Sequence, residues 1–571
     1  MQPIHLDVGS DVLASSTTSA ALDAYLADDL AECLRLLDGA SADAHGDDRL
    51  AHLVRARALL RLQRSAEVLD LIGPILGSFA EIDEALTARM LHAVAVFRTV
   101  SLDRGIALLL EVASAARALG AHRTIQAEIA YWTASAYWRK RDYEATLAHA
   151  QKAEDAQADV ISVRAATLRG YVAAARERFP EALAVFHAAR QSYDQCRERD
   201  FNLLERIVVQ IASLEVTLRS NAVGATHMLA PGAEHEAEAR ARRIPGVLRM
   251  QIMAMDAWLY AFDDDQTKAY RQVRIAEDLA PNTAWRMWAL ANRANIALAF
   301  GDLPIGRELA EQAREIADAL DWNDTADEER VGLLFLAEAL TVTDPLRSVE
   351  VLRRYDRLTT EIDRGLLFHD DIRLWIVEKF VRGLVHRVRG DAEAAWNSLK
   401  EAHDASRRVG YLWRAALALI EMDATPLLEK PRGVHDLHAA ALLVHEHFPG
   451  SFLTHRLGRW GTAYQDPVFA VLTPQLREVM RHLLSAKTTK EIAPVMSIAE
   501  GTVRNYFKEL FLRFGVHSRD ELLVVAYQRG IGDPSWWDVS SHSARASTST
   551  LRARPSLRPF GVDFRLHGEL T

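Results

Sequence analysis

Between Leu472 and Ile531 the chain sets out Thr488 and Lys490, then Thr502, Arg504, Asn505 and Lys508. Hydroxyl, amide and cationic groups gathered on short helical stretches donate hydrogen bonds to phosphate oxygens and to base edges. They are binding groups, and no nucleophile with an adjacent base stands among them. The same sixty-residue stretch holds nine Lys or Arg against six Asp or Glu, a net of +3, whereas the whole chain is at −10. A small basic module therefore sits in an otherwise acidic protein, and only the module suits contact with phosphates.

Other candidate groups are weaker. His435, His438, His445 and His447 cluster in sequence without a nearby Cys, and read as surface or packing residues. His369-Asp370-Asp371 reads as a solvated loop at a helix end, and Asp263-Asp264-Asp265 as a polar loop. Tyr131, Trp132, Tyr137, Trp138, Trp258, Trp285 and Trp288 read as inter-helix packing and not as a ligand groove. Cys33 and Cys196 offer neither a disulfide framework nor zinc spacing. No GxxxxGK[ST] loop and no alternation of strands and helices near the start is present. No enzyme, cofactor or metal is expected.

The elements that must position the basic groups are legible. Thr473-Pro474 reads as an N-cap followed by Pro at the first helical position, and Leu476, Val479, Met480, Leu483 and Leu484 form its apolar stripe. Thr488 with Glu491 is a capping box for a second, short helix. A third helix opens at Gly501-Thr502-Val503, with Val503, Phe507, Leu510 and Phe514 on its apolar face, and Gly515 stops it. Ser518 with Glu521 caps a fourth. A short helix, a tight turn and a helix with a polar basic face make a helix-turn-helix.

This segment resembles the LuxR-type (GerE-like) four-helix DNA-binding domain of bacterial transcription factors. The matching pieces are LTP and REV in the first helix, TKEIA in the second, I and GTVRNY in the third, and FGVHSRDEL at the last junction. The resemblance implies binding of double-stranded DNA as a homodimer. Thr502, Arg504, Asn505 and Lys508 would face DNA, Thr488 and Lys490 would lie near phosphates, and Val503 would touch a thymine methyl or the groove wall. It also implies dimer contact through the fourth helix, by Leu522, Val525 and Tyr527. Leu476, Ala486 and Ala499 depart from the Glu, Gly and Ser or Thr usual in that family, and Pro494 falls inside the second helix.

The rest of the chain is helical in its pattern. Hydrophobic residues at 49% and charged ones at 26% suit a globular protein, and 28 Gly with 17 Pro are few for 571 residues, which favours helices over turn-rich sheets. Apolar spacing of i, i+3, i+4, i+7 persists from Leu22 to Phe448. Segments such as GLVHRVRGDAEAAWNSLKEA, GYVAAARERFPEALAVFHAA and GDLPIGRELAEQA resemble the tetratricopeptide repeat, with Gly383 and Ala395 letting helices approach and Gly390 making the turn.

The expected fold class is all-α: an unstructured stretch at 1–20, a tetratricopeptide-like helical-hairpin solenoid at 21–449, a connector at 450–466, the helix-turn-helix domain at 467–532 and an unstructured tail at 533–571. No secretory signal or membrane span is expected, which places the chain in the cytoplasm. The expected function is a DNA-binding transcriptional regulator whose repeats bind a protein or peptide partner. The competing reading, motivated by Pro494 and Ala499, is a repeat scaffold with a decayed DNA-binding domain.

Overall fold

The computed structural model describes residues 16–43, 49–218, 246–322, 325, 327–359, 371–423, 425, 436–448, 450–454, 468, 472–484 and 487–528. Every regular element among them is a helix, and none is long and apolar enough to cross a membrane. The described residues fall into two compact units that divide within the helices Phe201–Leu218 and Gly246–Phe262.

The first unit contains α1 (Ser16–Leu26), α2 (Leu30–Asp43), α3 (Arg49–Arg61), α4 (Ser65–Ile72), α5 (Ile82–Thr99), α6 (Leu102–Ala118), α7 (Arg123–Lys140), α8 (Tyr143–Asp155), α9 (Asp159–Ala175), α10 (Phe179–Tyr193) and most of α11 (Phe201–Leu218). Each helix from α3 to α9 packs on the next, and α3, α5, α7 and α9 also pack each on its successor in that series. First helices of successive hairpins thus form one layer, as in a helical-hairpin solenoid. The second unit continues through α12 (Gly246–Phe262), α13 (Gln266–Asp278), α14 (Thr283–Ala299), α15 (Leu303–Ala319), α16 (Asp327–Arg330), α17 (Gly332–Thr343), α18 (Pro345–Leu358), α19 (Ile372–Val388), α20 (Ala392–Val409), α21 (Leu412–Asp423) and α22 (Asp436–His447). It ends in the C-terminal helices α23 (Pro474–Leu484), α24 (Thr489–Val495), α25 (Glu500–Phe514) and α26 (Arg519–Gln528).

A local rule builds the hairpins. The second helix opens on a short polar cap: Asp142, Asp265, Asp302 and Asp391 each accept the N–H three residues on, at 3.0, 3.0, 3.3 and 3.1 Å. Four residues after each cap stands a small buried residue: Thr146, Ala269, Gly306 and Ala395. Its small size lets the helix lie close against the preceding one. At Gly383 a Cβ would come within 2.6 Å of Leu399 Cγ and 3.0 Å of the Ala395 carbonyl, and Gly390 makes the intervening turn at φ +80°. The close approach read from GLVHRVRGDAEAAW is present. The aromatics also pack as expected: Trp258 lies 6.1 Å from Trp413, and Trp288 lies 6.1 Å from Phe335, ring to ring.

Three boundaries and roles differ from the sequence reading. Helix α1 begins at Ser16, inside the stretch 1–20 expected to lack structure. The solenoid does not stop at 449: Ser451, Phe452 and Leu453 are fully buried, and Phe452 stacks on Phe262 at 5.3 Å. The Pro449-Gly450 pair signalled a break, but Gly450 turns at φ +73° and the apolar residues after it still enter the core. Asp371 is not solvated. It is buried, caps α19 through the Arg373 N–H at 2.8 Å and accepts from Arg373 Nε at 3.1 Å. The tail at 533–571, most of the connector and the side chains of His435, His438 and Tyr527 lie outside the described residues.

A buried ion-pair cluster ties the start of the first unit to the turn before α11. Arg61 donates to Asp28 Oδ1 and to the Arg199 carbonyl, both at 2.6 Å, and Arg164 reaches Asp200 Oδ2 at 2.8 Å and Glu198 Oε1 at 3.2 Å. Burial pushes the Asp200 carboxyl up, but Arg61 and Arg164 beside it hold it below the usual carboxylate range. Partnered this fully, the cluster specifies which turns meet, because any one member left alone would be a buried unpaired charge.

Candidate nucleic-acid interface

The C-terminal helices close their own core. Leu472, Leu476, Val479, Met480, Leu483, Ile492, Val503, Phe507, Leu510, Phe514, Val516, Leu522 and Ala526 are buried together. Leu476 receives its cap from Thr473, whose Oγ1 accepts the Leu476 N–H at 3.3 Å. The departure at Leu476 is thereby explained, since an apolar residue there joins the core. Arg519 ties the fourth helix back to the segment before α24, donating to the Lys487 carbonyl at 2.9 Å. His482 is buried beside Glu478 at 3.2 Å and Lys487 at 3.2 Å; burial, then the Lys487 charge, push its imidazole down.

Thr488 opens α24. The Glu491 carboxylate accepts both the Thr488 N–H at 2.7 Å and its hydroxyl at 2.8 Å, and these bonds hold Glu491 below the usual carboxylate range. The Thr488 proton is therefore already engaged, and an incoming phosphate would meet its neighbour Lys490, which is exposed and has no ionic partner among the described residues. Pro494 stands in the last turn of α24. The helix ends at Val495, Ser497 turns left-handed at φ +55°, and the Ile498 N–H returns to the Ala493 carbonyl at 3.0 Å. Pro494 deletes only the bond to the Lys490 carbonyl, on an exposed last turn, so its penalty falls below the roughly 3 kcal/mol of a helix interior.

Helix α25 divides cleanly. Val503, Phe507, Leu510 and Phe514 face the core. Opposite them lie Gly501, Asn505, Lys508 and Leu512, at i, i+4, i+7 and i+11, all exposed and on one line along the helix. Arg504 flanks that line, with its side chain 67% exposed and in reach of Glu500 at 3.4 Å. Thr502 sits on the other flank, half-buried, and Asn505 and Lys508 engage no other side chain among the described residues. The helix is stopped by Gly515 at φ +68°, as read from the sequence.

Of the expected DNA-facing residues, the structure thus places Arg504, Asn505 and Lys508 on one open face, Thr502 at its edge, and Thr488 and Lys490 at the start of the preceding helix. Val503 is the exception. It is wholly buried, so its methyls belong to the core and have no surface to offer a thymine. The apolar periodicity of α25 already contained that answer. Leu522, expected to offer a dimer contact, is likewise wholly buried, and among the described side chains of α26 the exposed apolar one is Val524, at 54%. The sequence reading also passed over Leu512, 78% exposed on the outward line; its spacing of four from Lys508 was the available signal.

The third departure, Ala499, is the N-cap of α25 with an extended backbone and no side-chain oxygen for the first turn. Ala499→Ser is expected to stabilise the domain by about 1 kcal/mol, which raises the midpoint of a domain this small by about 4–8 °C. Thermal unfolding of the 467–532 fragment measures it; an unchanged midpoint would mean that the first turn is satisfied by water alone.

A four-helix unit with its own core, a short second helix, a left-handed turn and a third helix baring a polar line is a helix-turn-helix DNA-binding domain in form. Residues 470–526 match the family described as bacterial regulatory proteins, luxR family. The spore germination protein GerE of Bacillus subtilis (strain 168) is 40% identical over 60 residues, 10% of this chain and 81% of that protein. The chain belongs to the LuxR family of bacterial regulatory proteins. A "Probable HTH-type transcriptional regulator GfsR" of Streptomyces halstedii is 43% identical over 63 residues, 11% of this chain; the match spans only 24% of that relative's length. Among solved structures, a Rap protein complexed with competence and sporulation factor is similar over 72% of this chain and 97% of that chain, with a TM-score of 0.41 and 13% identity.

Proposed function

We propose that the chain is a cytoplasmic transcription regulator. The C-terminal domain lays α25 in the major groove of double-stranded DNA, and the helical array binds a protein or peptide that governs it. The observation that carries the reading is the outward line of α25, with Asn505 and Lys508 engaging no other side chain among the described residues and Arg504 beside them, backed by the core residues of the opposite face. Polar groups on a helix locked from behind are what groove recognition requires, and a basic module in an acidic chain concentrates the phosphate attraction there. Of the two departures that suggested a decayed domain, Pro494 loses its force because it lies in a terminal turn, while Ala499 leaves the first turn of α25 without a side-chain cap.

Two copies reading two half-sites about one helical turn apart is the arrangement this domain supports. The exposed Val524 on α26 is the surface we assign to the contact between them. Stacked hairpins offer an extended face suited to a peptide or protein segment.

The test is electrophoretic mobility of genomic DNA fragments with the 467–532 fragment and with the full chain over a salt series. Retarded DNA with the folded fragment supports the reading, and none at low salt overturns it. A weaker affinity of the full chain, relieved by a partner, is the expected sign of control by the array. Equal affinities and equal salt slopes would exclude that form of control.

A further inference from the structure

Gly501 lies in the first turn of α25 with no positive φ to require a glycine. Nor does packing require one, since a Cβ built at Gly501 meets nothing within 4 Å. The contrast is with the close-packed glycines of the solenoid. A Cβ at Gly170 would come within 2.7 Å of the Phe186 ring, and one at Gly306 within 2.6 Å of a Leu298 methyl. Those glycines are explained from inside the protein, and Gly501 is not. A glycine in a helix forfeits backbone entropy against alanine, so this one works against its own helix with no return from the fold.

Its position supplies the missing reason. Gly501 begins the outward line that runs through Asn505 and Lys508, and it is exposed. The neighbouring N-cap, Ala499, is small and exposed, and Glu500 is drawn along the helix toward Arg504 at 3.4 Å. The front of α25 is therefore bare backbone where the rest of the line carries side chains. Asn505 has a short side chain, and for its amide to meet a base edge the helix axis must come near the floor of the groove. A side chain at 501, one turn ahead on the same line, would hold that end of the helix away.

We propose that Gly501 is a positioning residue for DNA recognition: its missing side chain sets how deeply α25 enters the major groove, and so whether Asn505 and Lys508 reach the bases. The inference rests on the DNA-binding reading above. It makes the consequence of adding a side chain opposite in sign for the free protein and for the complex.

The experiment uses the full chain and Gly501→Ala and Gly501→Gln variants. The probe is the duplex best enriched from a random pool by the parent chain, about 30 base pairs long so that two half-sites fit. Two quantities are read: the equilibrium affinity for that duplex, and hydrogen exchange across residues 500–514 without DNA. The expected result is exchange as slow as in the parent or slower, with affinity down about tenfold for alanine and further for glutamine, and preference over unselected duplex reduced. Affinities within twofold of the parent overturn the proposal. So does a loss of affinity accompanied by faster exchange, because the glycine would then serve the fold. If the parent enriches no duplex at all, the DNA-binding reading fails before the glycine is tested, so the two failures are distinguishable.

Discussion

Removing Asn505 or Arg504 is expected to weaken DNA binding in two distinguishable ways. Asn505 stands on the line of α25 opposite its buried face, and Arg504 lies about 80° around the helix from that line. When the line points at the groove floor, Asn505 meets base edges and Arg504 meets the backbone at the groove wall. Asn505→Ala should then lose about 1–3 kcal/mol of discrimination, or roughly 5- to 150-fold, mainly at one base position. Arg504→Ala should weaken binding to all sequences and lower the slope of log affinity against log salt by about 0.9. Lys508, also on the line, should follow Asn505 in losing preference and Arg504 in salt dependence, because its cationic head can serve either acceptor. Binding measured on selected and scrambled duplexes at several salt concentrations checks all three. Folding is monitored by helix content, which should not change, since each side chain is exposed and none joins the core. If Arg504→Ala leaves the salt slope as it was while Asn505→Ala changes it, α25 is rotated in the groove relative to this assignment.

Much of this arrangement was legible beforehand because it rests on short-range rules. Caps at Thr473, Thr488 and Ser518, the stop at Gly515 and the four-residue spacing of Val503, Phe507, Leu510 and Phe514 are local, and each was readable from neighbours within one turn. The errors came where a residue answers to partners distant in sequence. Leu522 was assigned to a partner outside the chain, while the core formed by Leu476, Met480 and Leu510 takes it instead; Val503 joins the same core, and there the helical spacing of α25 was signal enough. Asp371 looked like a loop acid because its burial depends on α19 and α11: Arg373, which it holds, also donates to Thr217 Oγ1 at 3.3 Å across 156 residues. The cluster of Arg61 and Arg164 with Asp28, Glu198 and Asp200 was invisible for the same reason, since no local pattern announces a pairing over more than 130 residues. The repeat itself was half legible. Small residues were noticed at Gly383, Ala395 and Gly306, but the rule that places them four residues after a cap emerges only when the caps are located.

That rule makes a prediction at a glycine the repeat pattern had not singled out. Ser101 caps α6, accepting the Arg104 N–H at 3.4 Å, and Gly105 follows four residues later, buried. A Cβ on Gly105 would lie 2.2 Å from Phe97 Cβ, 2.6 Å from Phe97 Cα and 2.7 Å from its nitrogen. Two of those atoms are backbone, so no rotamer of Phe97 relieves the clash, and its ring is held 6.5 Å from Trp132. Only separation of α5 from α6 could. On an open helix Gly→Ala would stabilise by about 0.5–1 kcal/mol; here the overpacking, typically about 1–3 kcal/mol and more when backbone must move, outweighs it. Gly105→Ala should therefore lower the unfolding midpoint of the first unit by roughly 4–10 °C, at about 2–4 °C per kcal/mol for a unit of this size. In a solenoid each hairpin leans chiefly on its neighbours, so hydrogen exchange should quicken most across 82–140. An unchanged midpoint would mean that α5 and α6 sit further apart than described, and would remove the steric reason for the small residue four positions after these hairpin caps. The same substitution at Gly501, where a Cβ meets open space, carries the opposite sign for stability. Gly→Ala at these two positions thus separates a glycine required by the fold from one required by what the fold binds.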